Sequence, residues 1–207
     1  MNVGASSPEE YGNYYAWGET SKRYSSIAGS TVTGATFEWS NCPYHSGSSS
    51  ITGWTKYIPA GCQSWAIDGN CDNLLILEAP DDIAHVSWGG TARMPDKDEM
   101  QWLIQSSRVE LIWTDSYNSS GVAGCIIKGK GAFSKAFIFL PAAGKCVGDE
   151  YIPGYEHNGY YWTSEQFPYG ADSSYMFLFN DMSKAVIPVN RYWGYTVRPV
   201  ISIQCPL

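Results

Sequence analysis

Residues 80–104 read PDDIAHVSWGGTARMPDKDEMQWLI, and this stretch decides the fold class. Pro80, Asp81 and Asp82 open a helix, because proline suits a first turn and carboxylates there meet the positive end of the peptide dipoles. Ile83 and Val86 supply its inward face, and Gly89-Gly90 stops it. After Pro95 a second helix begins. Asp96 caps it, Glu99 stands three residues on as a capping box requires, and Met100, Leu103 and Ile104 give the buried stripe. Both helices end before Val109 on this reading.

Everything after Glu110 reads as short strands between turns. The candidates are Leu111–Thr114, Gly124–Lys128, Ala136–Leu140, Tyr160–Thr163, Tyr175–Phe179, Ala185–Val189 and Tyr195–Val200. Two helices followed by a run of strands predict an α+β fold with mostly antiparallel sheets. No period of 20–50 residues recurs, which argues against a solenoid or propeller. Upstream, Ser21–Asn73 is rich in Gly, Ser and Thr without a helical period, so it reads as loops and short strands. Its aromatics Trp39, Tyr44, Trp54, Tyr57 and Trp65 argue that it packs.

The chain of 207 residues suits one ample domain, with 44% hydrophobic residues for a core. Its 13 basic residues are scattered among 20 acidic ones, giving a net charge of -7, so no nucleic-acid partner is expected. No run of eighteen apolar residues predicts a membrane span, and Met1–Tyr11 lacks the basic start and apolar stretch of a signal peptide. The six cysteines, Cys42, Cys62, Cys71, Cys125, Cys146 and Cys205, show no C-x-x-C spacing. Free buried thiols and disulfides are both open, and spacing chooses no pairing.

Catalysis finds no foothold. His45, His85 and His157 lie far apart, no G-x-S-x-G elbow accompanies them, and no glycine-rich phosphate loop precedes a helix. Asp81, Asp82, Asp96, Asp98 and Glu99 are oxygen donors of the kind calcium takes, but all five sit at helix starts, where the dipole explains them. Neither a metal nor a cofactor is expected, and the chain is read as not an enzyme.

The C-terminal third is dense in the residue types that anchor interfaces. Tyr175, Phe177 and Phe179 alternate with Met176 and Leu178, so the strand has an aromatic and an aliphatic face. Either the aromatic face is an exposed patch, or both faces are buried in a central strand. Arg191-Tyr192-Trp193-Gly194-Tyr195 then packs three aromatics and an arginine into five residues.

Several segments carry a family resemblance. They are Asn2-Val3-Gly4-Ala5, Tyr11–Thr20 (YGNYYAWGET), Trp88-Gly89-Gly90 with Arg93-Met94-Pro95, Phe139–Gly144 (FLPAAG), Gly159–Ser164 (GYYWTS) and Gly194–Val200 (GYTVRPV). In order and spacing the chain resembles the Fibrobacter succinogenes major paralogous domain family of Bacteroidales. That family is similar in fold to C-type lectins, in the version shared with formylglycine-generating enzymes and with variable proteins diversified by retroelements. The resemblance implies a C-type-lectin-like fold over residues 1–207, with 31–73 as a loop-rich insertion. It also implies a ligand-binding scaffold on a secreted, cell-surface or virion protein, with its display surface over Ser164–Tyr195. A formylglycine-generating-type enzyme and a purely structural envelope module are the alternatives.

Family copies begin with a further strand before Asn-Val-Gly, so an unpaired edge is expected along Val197–Ile203. Calcium-dependent lectins carry a Trp-Asn-Asp strand that only Phe179-Asn180-Asp181 approaches. Composition and resemblance together predict a site for a protein or glycan ligand. Its residues are Gln166, Phe167, Tyr169, Tyr175, Phe177, Asn180, Asp181, Arg191, Tyr192 and Trp193.

Overall fold

The computed structural model describes residues 1–21, 36–47, 50–148, 150–152 and 157–201. In chain order the elements are α1 (Ile83–Trp88), β1 (Ala92–Arg93), α2 (Lys97–Trp102), β2 (Val109–Thr114), β3 (Gly124–Gly129), β4 (Phe137–Pro141), β5 (Lys145–Val147), β6 (Glu150–Ile152), β7 (Gly159–Gln166), β8 (Ser173–Phe179), β9 (Lys184–Asn190) and β10 (Val200–Ile201). The strands form four small sheets, ordered β1-β10, β2-β3-β4, β5-β6 and β7-β8-β9, and every ladder is antiparallel. The fold is α+β, as the helix-then-strand pattern predicts.

The helix starts differ in detail from their sequence reading. Ala79–Asp81 forms a separate turn of 3-10 helix, and α1 begins only at Ile83. Its cap is Asp82, whose Oδ1 accepts from the N–H groups of Ala84 (2.8 Å) and His85 (3.3 Å), while Oδ2 accepts from Met94 N–H (2.7 Å). That third bond ties the helix start to the chain after β1, which a dipole argument does not anticipate. Val86 is 50% exposed, and the inward face of so short a helix is Ile83 with Ala84. At α2 the capping box forms: Asp96 Oδ1 accepts from Glu99 N–H (2.7 Å), and Glu99 Oε2 accepts from Asp96 N–H (2.9 Å).

The β7-β8-β9 sheet is the middle layer. On one face Trp162 and Met176 pack with Val3, Tyr15, Trp17, Ile83, Met94 and Val197. On the other, Tyr161, Phe177 and Phe179 pack with Met100, Cys125, Ile127 and Leu140. Strand β8 is thus buried on both sides, so the aromatic face is core. Gly159 is required there, since a Cβ at that position would lie 2.2 Å from the Phe179 ring.

Beyond Trp162 the β7–β8 register shifts, and pairing resumes at Gln166 with Ser174. The far half of β7 also takes up the segment at 75–77: Leu77 N–H donates to Ser164 O and Gln166 N–H to Leu75 O. The chain leaving the insertion is thereby sewn onto the sheet. It packs as expected, with Trp54 and Tyr57 fully buried. Lys56 clamps its end, reaching Glu78 at 2.5 Å and Asp81 at 2.6 Å, and the Tyr57 hydroxyl also donates to Asp81 (2.5 Å).

Tyr195–Val200 is a strand only at its end. Tyr195 bridges Tyr15 and Thr196 bridges Tyr161, before Val200–Ile201 pairs with β1. The Val197 carbonyl accepts from Val3 N–H (2.9 Å), so the edge expected to be open is occupied there; residues 202–203 of that expectation lie outside the described residues. No helix of the described chain is long and apolar enough to cross a membrane.

Candidate ligand-binding surface

Of the ten residues expected to form one surface, seven fall into three places and the other three, Gln166, Phe177 and Arg191, are interior. Phe177 lies in the core described above. Gln166 is fully buried; its Oε1 accepts from Ser174 Oγ (3.0 Å) and its Nε2 donates to Gly170 O (2.9 Å), so both ends are spent inside the sheet.

Arg191 is 0% exposed. Its guanidinium lies over the rings of Trp54 (4.1 Å), Trp17 (4.7 Å) and Tyr57 (5.8 Å), and Nη1 donates to the carbonyls of Ala171 (2.9 Å), Tyr57 (3.3 Å) and Lys56 (3.4 Å). Burial pushes its pKa down to about 10, which leaves it charged at neutral pH. Arginine tolerates this site because its planar, weakly hydrated cation stacks on rings where an ammonium would stay solvated. Gln166, Phe177 and Arg191 are therefore corrected from contacts to supports.

Asn180 and Asp181 sit at the β8–β9 turn. Asn180 Oδ1 accepts from Met182 N–H (2.9 Å) and Ser183 N–H (2.6 Å), so its carbonyl closes the turn, and Asp181 is exposed beside it. Among the described residues no group of three His, Cys, Asp or Glu is placed to hold a metal. Phe167, Tyr169 and Tyr175 form a second place, with Phe167 5.5 Å from Tyr169 and 5.8 Å from Tyr175. Tyr169 is 81% exposed, and Lys97 lies 4.8 Å over Tyr175 while bonding Glu165 (3.0 Å).

The third place is the most built. Tyr192 and Trp193 follow Arg191 and are half-buried. Tyr192 lies 4.3 Å from the Trp39 ring, and Trp193 lies 4.2 Å from the Lys145 ammonium, which is 5.5 Å from Tyr160. Trp39, Tyr192, Trp193 and Tyr160 thus form one aromatic row. Beside it is a cleft of about 250 Å³ lined by Glu38, Trp39, Ser40 and Tyr192. The turn is anchored from both ends: Arg191 N–H donates to Asp172 O (2.8 Å), and Gly194 exchanges 2.9 Å bonds with Cys146. Gly194 admits this approach because a Cβ there would meet the Phe37 ring at 2.5 Å and Cys146 Cβ at 2.9 Å. Sequence reasoning found Tyr192 and Trp193 but missed Trp39, Lys145 and Tyr160. Trp39 had a signal, a large aromatic within the insertion; Lys145 had none, since a single lysine in a short strand is unremarkable.

A larger open groove of about 850 Å³ lies between α2, the β2–β3 ladder and β10, with Trp102, Phe133 and Ile201 on its walls. Several of its polar groups are already committed, while Arg108 meets the Trp102 ring (5.4 Å) and Arg198 Nε has no partner among the described residues. Glu99 holds Arg93 in a bidentate pair (2.7 Å), Lys130 donates to Ser106 O (2.6 Å), and Arg198 donates to Phe139 O. A binding site needs a few free polar groups to orient a ligand, and the aromatic row has them.

The described cysteines Cys62, Cys71, Cys125 and Cys146 are free thiols, and Cys42 is buried. Burial pushes Cys125 up to about 11 and Cys146 up to about 12, so both are protonated and poorly nucleophilic at neutral pH. Cys205 lies outside the described residues. No family model, no curated protein and no solved structure matches the chain.

Proposed function

We propose that this chain is a non-catalytic recognition domain of the C-type-lectin-like kind, carried on a cell or virion surface, with a protein or glycan as its ligand. The observation that carries the reading is the half-buried row Trp39, Tyr192, Trp193 and Tyr160, fixed by the interior Arg191 and by the Gly194–Cys146 bonds. Rigid aromatics give a large contact area at small entropic cost, and a backbone clamped from behind loses little freedom on binding. The resemblance to retroelement-diversified proteins adds support, since their display stretch corresponds to Ser164–Tyr195 here.

The test is a binding screen against a glycan array and a panel of cell-surface ectodomains. Wild type is compared with Tyr192→Ala, Trp193→Ala and, as a remote exposed control, Phe137→Ala. The expected result is a ligand whose affinity falls about tenfold or more with either row variant and is unchanged in the control. Binding that all three variants retain, in folded protein, would place the ligand elsewhere and overturn the reading.

A further inference from the structure

Lys145, the first residue of β5, has its ammonium over two rings and no carboxylate within ion-pair distance among the described residues. Lys56 and Lys97, by contrast, each hold carboxylates. Burial lowers the Lys145 pKa below the ordinary lysine value, and no neighbouring charge offsets it.

The indole beside it has the same one-sidedness: among the described residues Trp193 Nε1 is closed off from solvent without an acceptor. The Tyr195 hydroxyl, whose ring stacks on Tyr160 at 5.3 Å, also lacks a partner there but can accept as well as donate. An ammonium and an indole N–H can only donate. Buried polar groups ordinarily find partners, and a cluster of donors without acceptors creates a positive field that favours an anion rich in acceptor oxygens. The same cluster presents the flat faces of Trp193, Tyr192 and Trp39.

From this juxtaposition we infer that Lys145, Trp193 and Tyr160 form a subsite for a carboxylated sugar, a uronic or sialic acid residue of a glycan. The ammonium takes the carboxylate, and the Trp193 indole takes the C–H face of the pyranose. Glu38 and Ser40 in the adjoining cleft supply partners for sugar hydroxyls, which both donate and accept. This inference rests on the recognition reading above and narrows its ligand.

Calorimetric titration of the whole chain at neutral pH and low salt tests it, with trigalacturonate and sialyllactose as acidic probes. Lactose and carboxyl-reduced trigalacturonate serve as neutral ones. An acidic probe is expected to bind about tenfold or more tighter than its neutral counterpart, with the preference weakening in high salt. Lys145→Met should lower acidic-probe affinity to that of the neutral counterpart in protein shown by its melt to be folded, and Lys145→Arg, which keeps the cation over the rings, should restore part of the preference. Equal binding of acidic and neutral probes, or a preference that survives Lys145→Met, overturns the subsite but leaves recognition standing. So does failure of every sugar when an ectodomain or acidic peptide binds in a Trp193-dependent manner. If no sugar binds and Trp193→Ala changes no interaction of the protein, both readings fall.

Discussion

The guanidinium of Arg191 lies 4.1 Å from the centre of the Trp54 indole, deep in the protein. The first residue is at the start of the turn that carries Tyr192 and Trp193, and the second belongs to the loop-rich insertion. One interior cation therefore joins the two segments that make the aromatic row. Among the described residues its Nε and Nη2 have no hydrogen-bond partner, and the rings and three carbonyls compensate the charge.

Arg191→Ala is expected to lower stability by about 3 kcal/mol or more, through the void left between three rings and the loss of the cation's contacts. Urea denaturation followed by tryptophan fluorescence measures it. A loss below about 1 kcal/mol would show that the insertion holds itself in place without this residue.

Gly194→Ala should displace the Tyr192–Trp193 turn, because the new methyl has nowhere to go between Phe37 and Cys146. The cost is expected at about 1–3 kcal/mol, with a matching fall in ligand affinity. Thermal melts and the binding screen check the two together; an unchanged affinity would mean that turn position is irrelevant to recognition.

Acid should loosen the insertion. Burial alone would raise the Asp81 carboxyl, but bonds from Lys56, Tyr44 and Tyr57 outweigh it and hold the pKa below the ordinary value. The bond from Arg93 does the same for Glu99. A carboxylate whose folded pKa is depressed contributes stability present above its unfolded pKa and lost as pH falls through the folded one. Asp82, raised by burial, works in the opposite direction. Stability should therefore drop below about pH 4, and Lys56→Met should flatten that drop. Urea midpoints measured across pH 3–6 decide it; a slope identical in wild type and Lys56→Met would refute the role of this clamp.

The thiols should react in order of access. At neutral pH, Cys71 is expected to alkylate first, being half-buried, while Cys125 and Cys146 should stay unmodified until the protein unfolds. Peptide mapping after brief iodoacetamide treatment reads this directly. Rapid labelling of Cys146 in folded protein would contradict its burial beside Gly194.

Much of the fold was legible because it depends on local chemistry. The α2 capping box needs only Asp96 and Glu99 at their spacing, and strands β2, β3, β4, β7, β8 and β9 follow from short apolar runs between turns. Boundaries slipped where a distant partner intervened. Asp82 caps α1 while also binding Met94, Asp81 is drawn off to Lys56 and Tyr57, and Tyr195–Thr196 makes bridges to two different segments instead of a ladder.

For the site, the sequence by itself determined which residue types were present: a turn dense in Arg, Tyr and Trp after β9, on an acidic chain with scattered cations. Only the tertiary structure decided which of them face inward. Strand alternation fixes that Tyr175, Phe177 and Phe179 share a side, but whether that side meets solvent depends on β2, β3 and β4 being packed against it. Likewise Arg191 is interior because the insertion folds over it, and Lys145 meets Trp193 because Cys146 pairs with Gly194. Burial is a property of what covers a residue, and the covering segments here come from remote parts of the chain, which no local pattern encodes.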